Sequence, residues 1–235
     1  MSSKASLQQE EEAAAGAKEE AQSEEESCFL DLSVCRDPLF WLVSGTVMCM
    51  STGFPHVMFF LPNFVRSTTG DGSLNPATLL SITAVSDLVG RFVCGVLVDA
   101  IDTVPTHAVY GATLALTSVS VLALPSAGGD VASLVTVGLM YGLGTGCWFL
   151  MVPVLLTEYF GVERLGSCYG LVRLMQAVSN LAGPLIAGAI IDATGTFSYA
   201  FVIIGVIVGI GSLLTLLVPI LIRRRTNSIV DTAPK

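Results

Sequence analysis

LVGRFVCGVLVDAIDT, residues 88–103, and LAGPLIAGAIIDATGT, residues 181–196, are two versions of one pattern. At an offset of 93 residues they share Leu88/Leu181, Gly90/Gly183, Gly95/Gly188, Asp99/Asp192, Ala100/Ala193 and Thr103/Thr196. The same offset, without a gap, pairs Gly45 with Gly138, Thr52 with Thr145, Gly53 with Gly146 and Met58 with Met151. One register therefore serves two pairs of apolar segments, which marks an internal repeat.

Working outward, the chain divides by the length rule for a membrane-spanning helix, about 20 apolar residues. Spans are expected at about 38–62, 77–98, 104–124, 131–156, 166–191 and 199–222. Three spans make one repeat. An odd number sends the two triplets across the bilayer in opposite senses, the inverted-topology repeat of secondary transporters. The expected fold is an all-α membrane protein, six transmembrane helices in a 3+3 inverted repeat. Residues 31–222 form its transmembrane domain.

Composition agrees with a lipid solvent. Hydrophobic residues make up 52% and charged residues 13%, against about 25% charged in ordinary soluble domains; mean hydropathy is +0.73. The net charge of −8 comes largely from Glu10, Glu11, Glu12, Glu19, Glu20, Glu24, Glu25 and Glu26. Residues 1–30 lack apolar residues to bury and read as a disordered acidic tail; they have no apolar core of a signal peptide. No basic stripe exists for nucleic acid. The six cysteines include no CxxC pair, so neither a disulfide framework nor a zinc site is expected.

Basic residues orient the bundle. Arg36 precedes the first span, Arg164 lies between the fourth and fifth, and Arg223, Arg224 and Arg225 follow the last. All fall on one side, which the positive-inside rule makes cytoplasmic, whereas Arg66 lies near the other face. Both termini, including the 223–235 tail, are then cytoplasmic, and the plasma membrane is the expected home.

Asp87 and Arg91 are four residues apart and share a helix face. Asp87 lies about 15 Å along its span, near the middle of a core about 30 Å thick. A charge there costs on the order of 3 kcal/mol. The pair should face a polar cavity, where Arg91 binds an anion through its planar fork and Asp87 takes a proton. The plainer alternative is a permanent structural ion pair. Arg173 either snorkels to the interface or continues with Gln176 and Asn180 as a polar stripe lining the same cavity. His56, beside Pro55, is a proton site or a helix-packing residue. Gly138, Gly142, Gly144 and Gly146 allow close helix approach. Tyr141, Trp148 and Phe149 face substrate or lipid, and Tyr141 joins the candidate binding residues. No G-x-S-x-G, H-E-x-x-H or Walker A sequence occurs, so no enzyme is expected and no cofactor or metal is needed.

SITAVSDLVGRFVCGVLVDA, residues 81–100, resembles the eighth helix of the monocarboxylate transporter family of the major facilitator superfamily, whose Asp-x-x-x-Arg pair falls on Asp87 and Arg91. FLDLSVCRDPLFWL, residues 29–42, resembles the start of that family's seventh helix. TEYFGVERLGSCYGLVRLMQAVSNLAGPLIAGAIIDATGTFSYAF, residues 157–201, resembles its loop 10–11 through the start of helix 12. The resemblance implies transport of a monocarboxylate, often with a proton, by alternating access, with Arg91 on the carboxylate and Asp87 in proton coupling. Other members carry aromatic amino acids or thyroid hormones, so the substrate is left open. The family has twelve helices and this chain matches helices 7–12. It therefore reads either as the C-terminal half of a carrier, working with a second half, or as a non-transporting six-helix protein that associates with or regulates a full-length carrier. Expected partners are a small organic anion and a proton, the lipid bilayer and an accessory membrane protein.

Overall fold

The computed structural model describes residues 31–69, 74–100 and 105–223. The expected acidic tail of residues 1–30 lies outside the described residues, as does nearly all of the 223–235 tail. After a 3₁₀ turn at Leu32–Arg36 come α1 (Pro38–Thr68), α2 (Pro76–Ala100), α3 (Thr106–Ala127), α4 (Val131–Phe160), α5 (Leu165–Thr194) and α6 (Phe197–Thr215). Helix resumes after a short break, so the last span reaches Arg223. Six helices among the described residues are long and apolar enough to cross a membrane.

Local signals set the starts and stops. Pro38 opens α1 and the Asp37 carboxylate accepts from the Leu39 amide at 2.9 Å, a cap joined to a proline at the first helical position. Asp130 caps α4 by accepting from the Ser133 amide at 3.0 Å and its hydroxyl at 2.8 Å. Gly195, at φ 70°, ends α5 in the left-handed conformation that favours glycine.

Two helices run several residues past the expected spans, with prolines inside them. α1 continues through Pro55 and Pro62 to Thr68. Its last turns hold because Val65 is buried, Phe64 meets Phe201 edge-on at 5.2 Å, and the Ser67 and Thr68 hydroxyls both donate to the Phe64 carbonyl. α4 likewise passes Pro153, whose carbonyl accepts from Thr157 Oγ1 at 2.9 Å, and runs to Phe160. Membrane helices tolerate such internal prolines where packing against neighbouring helices and local adjustments accommodate the freed carbonyl.

The extensive packing pairs are α2 with α4, α3 with α6, α3 with α4, α1 with α6 and α1 with α5. Exchanging the first triplet for the second turns α1–α5 into α4–α2 and α1–α6 into α4–α3, and leaves α3–α6 unchanged. The packing thus has the approximate two-fold that an inverted repeat requires. Two hydrogen bonds follow it approximately: Ser86 Oγ donates to the Leu139 carbonyl at 2.6 Å, and its repeat mate Ser179 Oγ donates at 3.1 Å to the carbonyl of Met48, two residues past Thr46, the repeat mate of Leu139.

The core is built from Phe40, Phe64, Tyr110, Tyr141, Trp148 and Phe201. α2 and α5 are the least enclosed helices. Each turns large aliphatic and aromatic side chains outward, with Phe92 at 69% and Leu181 at 75% exposure. Such a continuous apolar face belongs against lipid or another protein.

At the end where α1 begins, the Asp31 carboxylate lies 3.5 Å from Arg164, and its amide donates to Ser167 Oγ at 3.1 Å. The starts of α1 and α5 are therefore on one side of the bundle.

Candidate functional site

The site begins with a seam between α2 and α4. Gly142 and Gly146 of α4 lie against the backbone of α2, and Gly90 of α2 lies against Leu143. A Cβ on Gly90 would stand 2.6 Å from the Leu143 carbonyl oxygen. Small residues at helical spacing bring the two backbones this close. The closeness lets Thr145 Oγ1 reach Asp87 Oδ1 at 3.1 Å.

The other oxygen of Asp87 holds Arg91. Oδ2 accepts from Arg91 Nη2 at 2.8 Å and from Nε at 3.0 Å. The side chains are 44% exposed for Arg91 and 16% for Asp87, so the acid sits inward and the guanidinium outward. Arg91 also lies over the Phe149 ring, 4.8 Å from its centroid. Phe149 is fixed by Trp148 and Phe54, with ring centroids at 4.7 and 4.9 Å.

Arg173 comes to the same ring from α5, 6.0 Å from the Phe149 centroid. It donates to Gln176 Oε1 and to the Tyr169 hydroxyl, and it lies 4.5 Å from the Tyr169 centroid. Arg173 is thus held by two residues of its own helix, with the Phe149 ring as its contact on α4. Its hydrogen-bond partners are neutral. Among the described residues the only carboxylate paired with Arg91 is Asp87, and Arg173 has no carboxylate within 4 Å. One acid and two guanidiniums around one aromatic ring leave an excess of one positive charge. In a low-dielectric setting that excess favours an anion, and each planar fork fits a carboxylate.

Four of the six residues singled out in the sequence, Asp87, Arg91, Arg173 and Gln176, converge here. The other two have different partners. Tyr141 is buried, and its hydroxyl donates to the Phe54 carbonyl at 2.7 Å, with the Gly53 carbonyl at 3.1 Å. It clamps α4 to α1 beside Pro55. Asn180 meets α1 through its main chain, whose carbonyl faces His56 Nε2 at 3.4 Å, while its side-chain Oδ1 is buried. Thr145 and Tyr169 were missed. Tyr169 precedes Arg173 by four residues and so shares its face. Thr145 carried only the signal of its repeat mate Thr52. Among the described residues no group of three or more His, Cys, Asp or Glu side chains could hold a metal.

Residues 43–233 match the Major Facilitator Superfamily. Monocarboxylate transporter 3 of Rattus norvegicus is 33% identical over 183 residues, which are 75% of this chain and 36% of that protein. Monocarboxylate transporter 13 of Bos taurus is 33% identical over 186 residues, 78% of this chain and 43% of that protein. Among solved structures, the POT family transporter PepTSo aligns with 77% of this chain and 37% of its own, at a TM-score of 0.66 and 13% identity, a likeness of fold. The chain spans well under half the length of these relatives.

Proposed function

The chain belongs to the Major Facilitator Superfamily, and from that premise we propose that it moves a monocarboxylate or similar small organic anion across a membrane together with a proton, by alternating access, alone or as the C-terminal half of a carrier. The observation that carries this reading is the Asp87–Arg91 pair, joined by Arg173 at Phe149 on the open side of the bundle.

The residues divide the work. Arg91 receives the substrate carboxylate, and Arg173, steadied by Gln176 and Tyr169, supplies the second positive wall. A proton on Asp87 removes the charge that occupies Arg91 and frees its fork for the substrate. Loading one proton and one monoanion together leaves the net charge of the site as it was, so the loaded and empty sites cost the same to carry through the bilayer. Tyr141 and Asn180 serve at one remove, holding α1 against α4 and α5. Both termini are cytoplasmic in this reading, and the membrane is the plasma membrane.

The test is uptake of labelled lactate by liposomes containing the purified chain. Uptake rises when the outside is acidified and is lost in Arg91→Ala. Unchanged uptake in Arg91→Ala would remove the role given to that residue.

The exposed apolar faces of α2 and α5 favour a second reading, in which the chain associates with a full-length carrier and regulates it. That reading predicts co-purification with the carrier and no uptake by the chain alone.

A further inference from the structure

His56 lies outside the anion site, buried at 2% exposure between α1 and α5. Both of its ring nitrogens face carbonyl oxygens. Nδ1 is 2.8 Å from the Thr52 carbonyl, one turn back on its own helix. Nε2 is 3.4 Å from the Asn180 carbonyl on α5. The second carbonyl is available for a specific reason. Asn180 would bond to the amide four residues later, and that residue is Pro184, which has no N–H. Gly183 leaves the opening through which the ring approaches, since a Cβ there would overlap the imidazole.

A neutral imidazole has one N–H. With the shorter contact at Thr52 taking it, the Nε2 lone pair is left pointing at an acceptor, and both groups stay unsatisfied in a buried place. An imidazolium has two N–H groups and fits both carbonyls. We propose that His56 is a proton-binding site joining α1 to α5, its imidazolium donating from Nδ1 to Thr52 and from Nε2 to the carbonyl that Pro184 leaves open. The ligand is one proton from water, and the Nε2–H bond it completes ties the two helices at their proline positions, Pro55 and Pro184.

The repeat supports the placement. The 93-residue offset carries His56 onto Phe149, Asn180 onto Asp87 and Pro184 onto Arg91. His56 thus occupies the repeat-equivalent position of the ring against which Arg91 stacks.

Few other charges bear on it. On α1, Cys49 lies seven residues before it and Arg66 ten after. On α5, Arg173 is held by Gln176 and Tyr169, and Asp192 is exposed. On α4, the Tyr141 hydroxyl is given to Gly53 and Phe54; behind it Asp87 of α2 is paired with Arg91. α6 brings Tyr199, largely exposed, and Arg223 at the far end of the last span. The two carbonyls are the groups hydrogen-bonded to the ring. The inference stands whether or not the chain carries a solute.

The test is nitrogen-15 NMR of histidine-labelled full chain in lipid nanodiscs, with His107→Asn removing the other histidine signal, titrated from pH 8 to pH 5. At the acid end both His56 nitrogens should be protonated, with Nε2–H coupled through a hydrogen bond to the Asn180 carbonyl. Pro184→Ala restores an amide to that carbonyl, and the Nε2–H coupling to Asn180 should then disappear while the Nδ1–H bond to Thr52 stays. A His56 that stays neutral to pH 5 in the parent chain overturns the proposal without any variant, and so does an Nε2–H coupling to the Asn180 carbonyl that Pro184→Ala leaves in place.

Discussion

Replacing Gly90 with alanine tests whether the α2–α4 seam positions the anion site. The added Cβ would lie 2.6 Å from the Leu143 carbonyl oxygen, 3.1 Å from its Cα and 3.2 Å from its carbonyl carbon. All three are backbone atoms, so no side chain can swing aside. Ordinary contact near 3.5 Å requires the helices to part by roughly 0.9 Å. That shift stretches the Ser86 to Leu139 bond from 2.6 Å and the Cys147 Sγ to Gly90 bond from 3.2 Å. Overpacking costs about 1–3 kcal/mol, and each weakened interhelical bond adds about 0.6 kcal/mol. Gly170 is the control: it is also in mid-helix, and a Cβ there meets nothing within 4 Å. Both substitutions gain the same helix propensity, up to about 1 kcal/mol, so the gain cancels in their comparison. Gly90→Ala should therefore be less stable than Gly170→Ala by about 2–4 kcal/mol. Equilibrium unfolding in mixed micelles, followed by the fluorescence of buried Trp148, measures the difference. Two variants equal within about 0.5 kcal/mol would refute the close approach and the placement of Asp87 built on it.

Tyr141→Phe should lower stability by about 0.5–1.5 kcal/mol, because the Phe54 carbonyl loses its hydroxyl donor while the ring stays packed; the same unfolding assay reads it. Asp130 is held below the usual carboxylate range, first by the Ser133 hydroxyl and then by the Ser133 amide. A depressed folded-state pKa contributes stability above the unfolded value and loses it as pH falls through the folded one. Asp130→Ala should therefore destabilise at neutral pH, and its deficit should shrink in acid below the ordinary Asp range. A deficit that stays constant across that window would contradict the cap.

Much of this was legible in the sequence because lipid imposes simple rules. Apolar runs of membrane-spanning length marked the spans, and a charge pair at helical spacing marked the centre of the site. The repeat offset foreshadowed the packing two-fold. What stayed hidden depends on contacts between helices. Thr145 shows why: a hydroxyl in an apolar run can bond back to its own helix, as Ser51 and Thr83 do, or reach across. Thr145 does both, and only the glycine seam decides that Asp87 is within range. Asn180 was placed by its spacing from Arg173 and Tyr141 by its aromatic neighbours on the fourth span. The contacts that the Tyr141 hydroxyl and the Asn180 main chain make lie beside Pro55 on α1, and no periodicity within one helix predicts them. α1 and α4 run on to Thr68 and Phe160, past the apolar stretches that marked their spans, because their last turns are held by packing between helices that hydropathy along one segment does not report.

The account rests on the paired charges of α2 being a water-reached anion site and not a sealed structural link. The direct measurement is equilibrium binding of labelled lactate to the full chain in nanodiscs, compared between the parent and the double variant Asp87→Leu with Arg91→Leu, which keeps the net charge unchanged. Saturable binding in the parent, lost in a double variant that keeps its helical content, is the predicted result. Equal binding in both, or none in either, would contradict it.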